Sequence, residues 1–182
     1  MKGNEIFGWK NVLKFYSIGD LFKDSIIPMV VSLILLAISI CTNKDILSLL
    51  QKIMGLGINV VPVILSLLLA AYTILMTMYW SPICDTMKKT GNNGIKLLNE
   101  LNSSFAASIL FTTISVLLLF IFNAIGDIDI PVSLNVANTI NSVFYVFVMY
   151  IILFPVWLMK DIAIDIYNIA AFSINLKSDI RN

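Results

Sequence analysis

Four apolar stretches of this chain carry no charged residue: Ser25 to Thr42, Ile58 to Trp80, Phe105 to Ile125 and Val143 to Met159. Each approaches the roughly 18 to 25 residues that a helix needs to cross the hydrocarbon of a bilayer. With 59% hydrophobic and 13% charged residues and a mean hydropathy of +0.92, too little polar surface remains to cover a water-facing globule. Lipid must be the solvent for most of the chain. The expected fold class is all-α, a polytopic membrane protein of four transmembrane helices with cytoplasmic amphipathic helices at both ends. Its expected parts are an interfacial helix over 1–24, a four-helix membrane domain over 25–159 and a tail helix over 160–182.

The distribution of Lys and Arg sets the expected orientation. Four precede the first span (Lys2, Lys10, Lys14, Lys23), three lie between spans two and three (Lys88, Lys89, Lys96) and three follow span four (Lys160, Lys177, Arg181). Only Lys44 and Lys52 fall on the other side. Ten against two is a strong positive-inside bias, which puts both termini in the cytoplasm. A net charge of +1 with no dense basic stripe argues against a dedicated nucleic-acid site. Cys41 and Cys84 are expected near opposite membrane faces, hence as free thiols.

Residues 7–24 place Trp9, Val12, Leu13 and Tyr16 on one helical face and Lys10, Lys14 and Ser17 on another, before Gly19 loosens the pattern. Span one is expected to be capped at Asp24 or Ser25, with Pro28 in its first turn. The first loop, 43–57, contains ILSLLQKIMGLG, an apolar segment suited to the outer interface. Pro82 in YWSPICD should stop span two, and TGNNG at 90–94 is a turn from which GIKLLNELNSS leads into span three. The third loop, GDIDIPVSLNVANTIN, holds Asp127 and Asp129. Past span four, Pro155 is a kink point, and Asp161, Asp165, Asn168 and Asn175 share one arc opposite Ile, Ala and Phe. The two halves, 1–90 and 91–182, follow a similar plan, either as a diverged parallel repeat or by chance.

Polar and small residues form a stripe on each of the first three spans: Ser25, Ser32, Ser39 and Asn43; Asn59, Ser66, Ala70, Thr73 and Thr77; Ser104, Ser108, Thr112 and Ser115, extended by Asn123. Close helix packing explains any one of them. Three exceed what a single four-helix bundle can bury, so one is expected to face a partner subunit or line a pore. The span-three stripe, Ser104, Ser108, Thr112, Ser115 and Asn123, is the pore-lining candidate because it is richest in hydroxyls. Around a symmetry axis, Asp127 and Asp129 would form an acidic collar at the outer mouth.

No histidine, no intramembrane Lys or Arg and no base beside a serine nucleophile is present, which argues against ion-coupled transport and hydrolysis; no metal-ligand set and no cofactor is expected. The carboxylate pair Asp161 and Asp165, with Asn168, is a candidate partner-binding face, against the plainer role of solvating the tail helix.

The plan as a whole, including the runs YWSPICD, FPVWLMKD and KDIAIDIYNIAAF, resembles the small four-span membrane proteins of prokaryotic anti-phage systems, such as the channel component of Hailong and the membrane subunit of Kiwa. The resemblance covers all 182 residues as architecture, rests on no motif and carries over no functional residue. It implies a homo-oligomer of the bacterial inner membrane that works with a cytosolic partner and opens a pore or signals an envelope disturbance. The expected function is a non-enzymatic channel or pore, tetrameric and gated from the cytoplasmic side by a protein or ligand. The alternative is a membrane anchor or sensor that recruits a cytosolic effector through the tail helix and the 86–102 loop without conducting. A small permease or lipid-handling protein is a third.

Overall fold

A computed structural model describes residues 12, 16–79, 92–126 and 133–179. They form four helices and no strand: α1 (Ile18–Cys41), α2 (Ile46–Tyr79), α3 (Asn92–Ile125) and α4 (Leu134–Asp179). All four are long and apolar enough to cross a membrane. Their outward faces expose Leu33, Ile34, Leu67, Leu117 and Phe120, side chains that only lipid solvates without cost. The chain is a multi-pass all-α membrane protein, and four crossings leave the start of α1 and the end of α4 at one end of the bundle. We call this the terminal end, and the opposite one the hairpin end.

The helices overrun their apolar stretches, because a charge ends a hydrophobic run without ending a hydrogen-bonded ladder. Helix α1 starts at Ile18, before the expected Asp24 or Ser25. Ser17 caps it: its hydroxyl accepts from the Asp20 amide at 3.2 Å, while the Asp20 carboxylate accepts from the Ser17 amide at 3.2 Å. Pro28 therefore sits in the helix interior and not in the first turn. The 7–24 helix is described only at Val12 and from Tyr16 onward.

The segment ILSLLQKIMGLG is not a loop element separate from span two. It is the first third of α2, whose 34 residues span about 51 Å. The Asp45 carboxylate accepts from the Leu47 and Ser48 amides at 3.2 and 3.3 Å and so starts the helix directly after the turn. Asn43 at φ 50° takes the left-handed conformation that turn needs. Helix α4 likewise starts at Leu134, inside the expected third loop, and runs unbroken through Pro155 to Asp179. The tail is thus the distal part of α4 and not a separate element. Pro82, Trp80 and Cys84 lie outside the described residues; Cys41 is free and exposed at the end of α1.

Two apolar cores are stacked along α2, α3 and α4. Near the hairpin end Leu50, Met54, Val61, Leu119, Val148 and Ile151 pack together. Toward the terminal end Ile64, Leu68, Leu75, Leu101, Phe105, Ile162 and Ile169 do so. Gly57 lets α2 approach α4: a Cβ there would meet Ile152 Cδ1 at 2.7 Å and Leu119 at 3.1 Å. Helix α1 stands apart, with α4 as its one substantial neighbour. A parallel repeat would pair α1 with α2 as α3 pairs with α4, so the two halves are not equivalent.

Candidate functional site

The three polar stripes have three different fates. That of α1 is a packing seam. Ser32 is fully buried against α4 with its hydroxyl on the Pro28 carbonyl at 2.7 Å, and Ser39 is buried near Tyr145. Ser25 gives its one proton to the Leu21 carbonyl at 2.8 Å, so the Tyr150 hydroxyl, 2.9 Å away, is the donor between the two helices. Asn43 is exposed in the turn.

The stripe of α3 points into the protomer. Ser108, Thr112 and Ser115 are buried at 2%, 0% and 5% exposure, between the two apolar cores along α3. Thr112 and Ser115 donate to the Ser108 and Phe111 carbonyls at 2.7 and 3.0 Å, the local bonding that lets a hydroxyl sit in an apolar interior. Ser104 is half-buried and Asn123 exposed. Three of the five pore-lining candidates are thus enclosed by their own protomer. Asp127 and Asp129 lie outside the described residues.

The stripe of α2 faces outward. Asn59, Ser66, Ala70, Thr73 and Thr77 are all exposed. They fall within a narrow arc over about 27 Å of helix, close to the roughly 30 Å of hydrocarbon. Among the described residues the polar side chains bond only to carbonyls of α2 itself: Asn59 to Gly55, Ser66 to Pro62, Thr73 to Leu69 and Thr77 to Ile74, at 2.7 to 3.0 Å. Their second lone pairs and the amide oxygen of Asn59 remain open to whatever lies alongside.

At the terminal end a cleft of about 240 Å³ is lined by Tyr16, Asp20, Lys23, Asp24, Ser104, Ser108, Leu158 and Asp161. The Tyr16 hydroxyl donates to Asp24 Oδ2 at 2.7 Å. Burial, then that carboxylate, pushes the Tyr16 pKa well above its ordinary range, so it stays neutral. Lys160 reaches Asp161 at 3.1 Å and lies over the Trp157 ring at 4.2 Å. Asp165, one turn beyond, bonds to Ser104. Lys160 and Asp161 end the uncharged run of α4.

Of the candidate partner-binding face, Asp161 and Asp165 are half-buried and Asp161 lines this cleft; Asn168 is exposed. A second carboxylate pair at helical spacing, Asp20 and Asp24 on α1, lines the same cleft. The signal was in the sequence: two such pairs, one before the first span and one after the last, converge whenever the number of spans is even. Among the described residues no group of three His, Cys, Asp or Glu is placed to hold a metal ion. No protein family, curated protein or solved structure matches the chain.

Proposed function

We propose that the protein is a non-enzymatic homo-oligomeric channel whose conducting path is lined by the outward stripe of α2, in place of the buried stripe of α3. One observation carries this: Asn59, Ser66, Thr73 and Thr77 project outward from a helix whose other exposed side chains include Leu56, Val60, Val63, Leu67, Leu69 and Ile74. Hydroxyls at hydrocarbon depth gain nothing from lipid, whereas around a symmetry axis the same groups form a narrow, uncharged, wettable wall. A tetramer supplies four such walls. The Lys and Arg distribution supports cytoplasmic termini, and the architectural resemblance supports a bacterial inner membrane and a role in anti-phage defence. A cytosolic protein or ligand gates the channel by binding the terminal end more tightly in the open arrangement, since only differential affinity shifts such an equilibrium.

The test is conductance of the purified protein in planar bilayers, or dye leak from liposomes, with and without the product of its genomic neighbour. Ser66→Leu combined with Thr73→Leu abolishes conductance; Thr112→Val, inside the protomer, leaves unitary conductance unchanged. Silence of the unaltered chain under both conditions, or full conductance of the double leucine variant, refutes the pore.

A second reading rests on the distal part of α4, where Ile164, Ile166 and Tyr167 are exposed at 50%, 38% and 72% beyond the last uncharged run. Here the protein is an anchor that recruits a cytosolic effector through Tyr167 and Asn168 and conducts nothing. Tyr167→Ala with Asn168→Ala then removes the co-purifying partner and spares the assembly; retention of the partner rules that face out.

A further inference from the structure

Helix α1 begins at Ile18, and the charged residues of its first turns, Asp20, Lys23 and Asp24, line the terminal-end cleft together with Asp161 of α4. A helix start carries amides that no carbonyl of its own ladder can satisfy, so it lies where water or lipid headgroups reach. The uncharged runs of α1 and α4 stop at this same level, at Asp24 and Lys160. Helix α4 continues past it to Asp179, but the cleft lies at headgroup depth.

The charges around the cleft do not cancel. Lys23 reaches Asp20 at 3.9 Å and Lys160 reaches Asp161 at 3.1 Å. Among the described residues Asp24 meets no lysine, and its partner is the neutral Tyr16 hydroxyl, which donates to Oδ2 at 2.7 Å. One carboxylate is therefore left without a cation. Among the described residues no three acidic groups converge as they would on a metal ion, and the space of about 240 Å³ is far larger than a bare ion fills. Ser104 and Ser108 add hydroxyls to its wall and Leu158 an apolar patch. Such a lining suits an ammonium with several N–H donors, carried on a larger molecule.

A second feature of α1 indicates what that molecule is. Ile27, Val30 and Ile34 project within about 40° of Lys23 around the helix and are 44%, 48% and 52% exposed, so an apolar track descends from the cleft into the hydrocarbon. A phospholipid seated by its headgroup at Asp24 lays a chain along this track. Lys23, whose side chain is 80% exposed, stands where the phosphate passes.

We propose that the terminal-end cleft is a headgroup site for an ethanolamine phospholipid, with the primary ammonium on Asp24, the phosphate beside Lys23 and an acyl chain along Ile27, Val30 and Ile34. A choline phospholipid has the same phosphate and chains but no N–H donor, so the site separates the two. Each protomer holds a complete site. It stands whether or not the assembly conducts, and its failure would leave the pore reading intact.

The full chain, reconstituted in vesicles of equal parts ethanolamine and choline phospholipid and extracted in mild detergent, tests this through the lipid that co-purifies, counted by mass spectrometry. Ethanolamine lipid is expected to be retained about tenfold over choline lipid, a margin that one charge-assisted hydrogen bond supports. Asp24→Asn brings the ratio close to one. Lys23→Glu, at an exposed position where the fold tolerates it, lowers retained ethanolamine lipid several-fold and serves as the check should Asp24→Asn not fold. Soluble phosphoethanolamine in the wash leaves the lipid in place, because it has no chain to lie on α1. Equal retention of the two lipids, undiminished retention in either variant, or displacement by the soluble headgroup overturns the site.

Discussion

At the start of α1 the Ser17 hydroxyl accepts from the Asp20 amide and the Asp20 carboxylate accepts from the Ser17 amide. Ser17→Ala removes this cap and should lower stability by about 1 kcal/mol, as read by thermal unfolding in detergent; an unchanged melting temperature would contradict it. The residue types that line the terminal-end cleft were legible in the sequence. Their meeting was not, because Tyr16, Asp24 and Asp161 are brought together only by the even number of crossings, and periodicity along one helix cannot report which neighbour a face will find.

At the scale of the element, periodicity located every span and misplaced several ends. The apolar run of α2 was read from Ile58, yet Leu50 and Met54 are core residues, because the packing face of the helix continues past the point where Lys52 interrupts its hydropathy. Loop 43–57 shrank to a turn for the same reason, and α4 gained residues at both ends. Nor could hydropathy tell which stripe of hydroxyls is sealed inside. The stripes of α2 and α3 are alike in composition, and only the seating of α4 decides between them. Gly57 is a point of close approach in that seating. Gly57→Ala should lower stability by about 1 kcal/mol or more, since Ile152 must move to admit a methyl group. Gly55→Ala meets nothing within 4 Å and should raise it by about 0.5 kcal/mol through helix propensity. Thermal shift of the two variants compares them directly, and equal shifts would contradict the close approach.

The whole molecule is a three-helix core with a fourth helix leaning on it. Helices α2, α3 and α4 pack mutually, while α1 has α4 as its one substantial neighbour and buries only Pro28, Ser32 and Ser39 along most of its length. Stability should be distributed accordingly. Ser32→Leu, which forces a large side chain into a fully buried small site, should cost about 1 to 3 kcal/mol and fall almost wholly on α1. Amide exchange should show α1 opening while α2, α3 and α4 keep their protection; uniform loss across the four helices would refute this division. One consequence concerns mechanical advantage. Helix α4 has 46 residues, of which those after Pro155 extend about 36 Å. A rotation of about 10° at that proline sweeps Asp179 through roughly 6 Å, so a disturbance too small to repack the hydrocarbon-embedded rods arrives at the far tip as a displacement the size of a side chain.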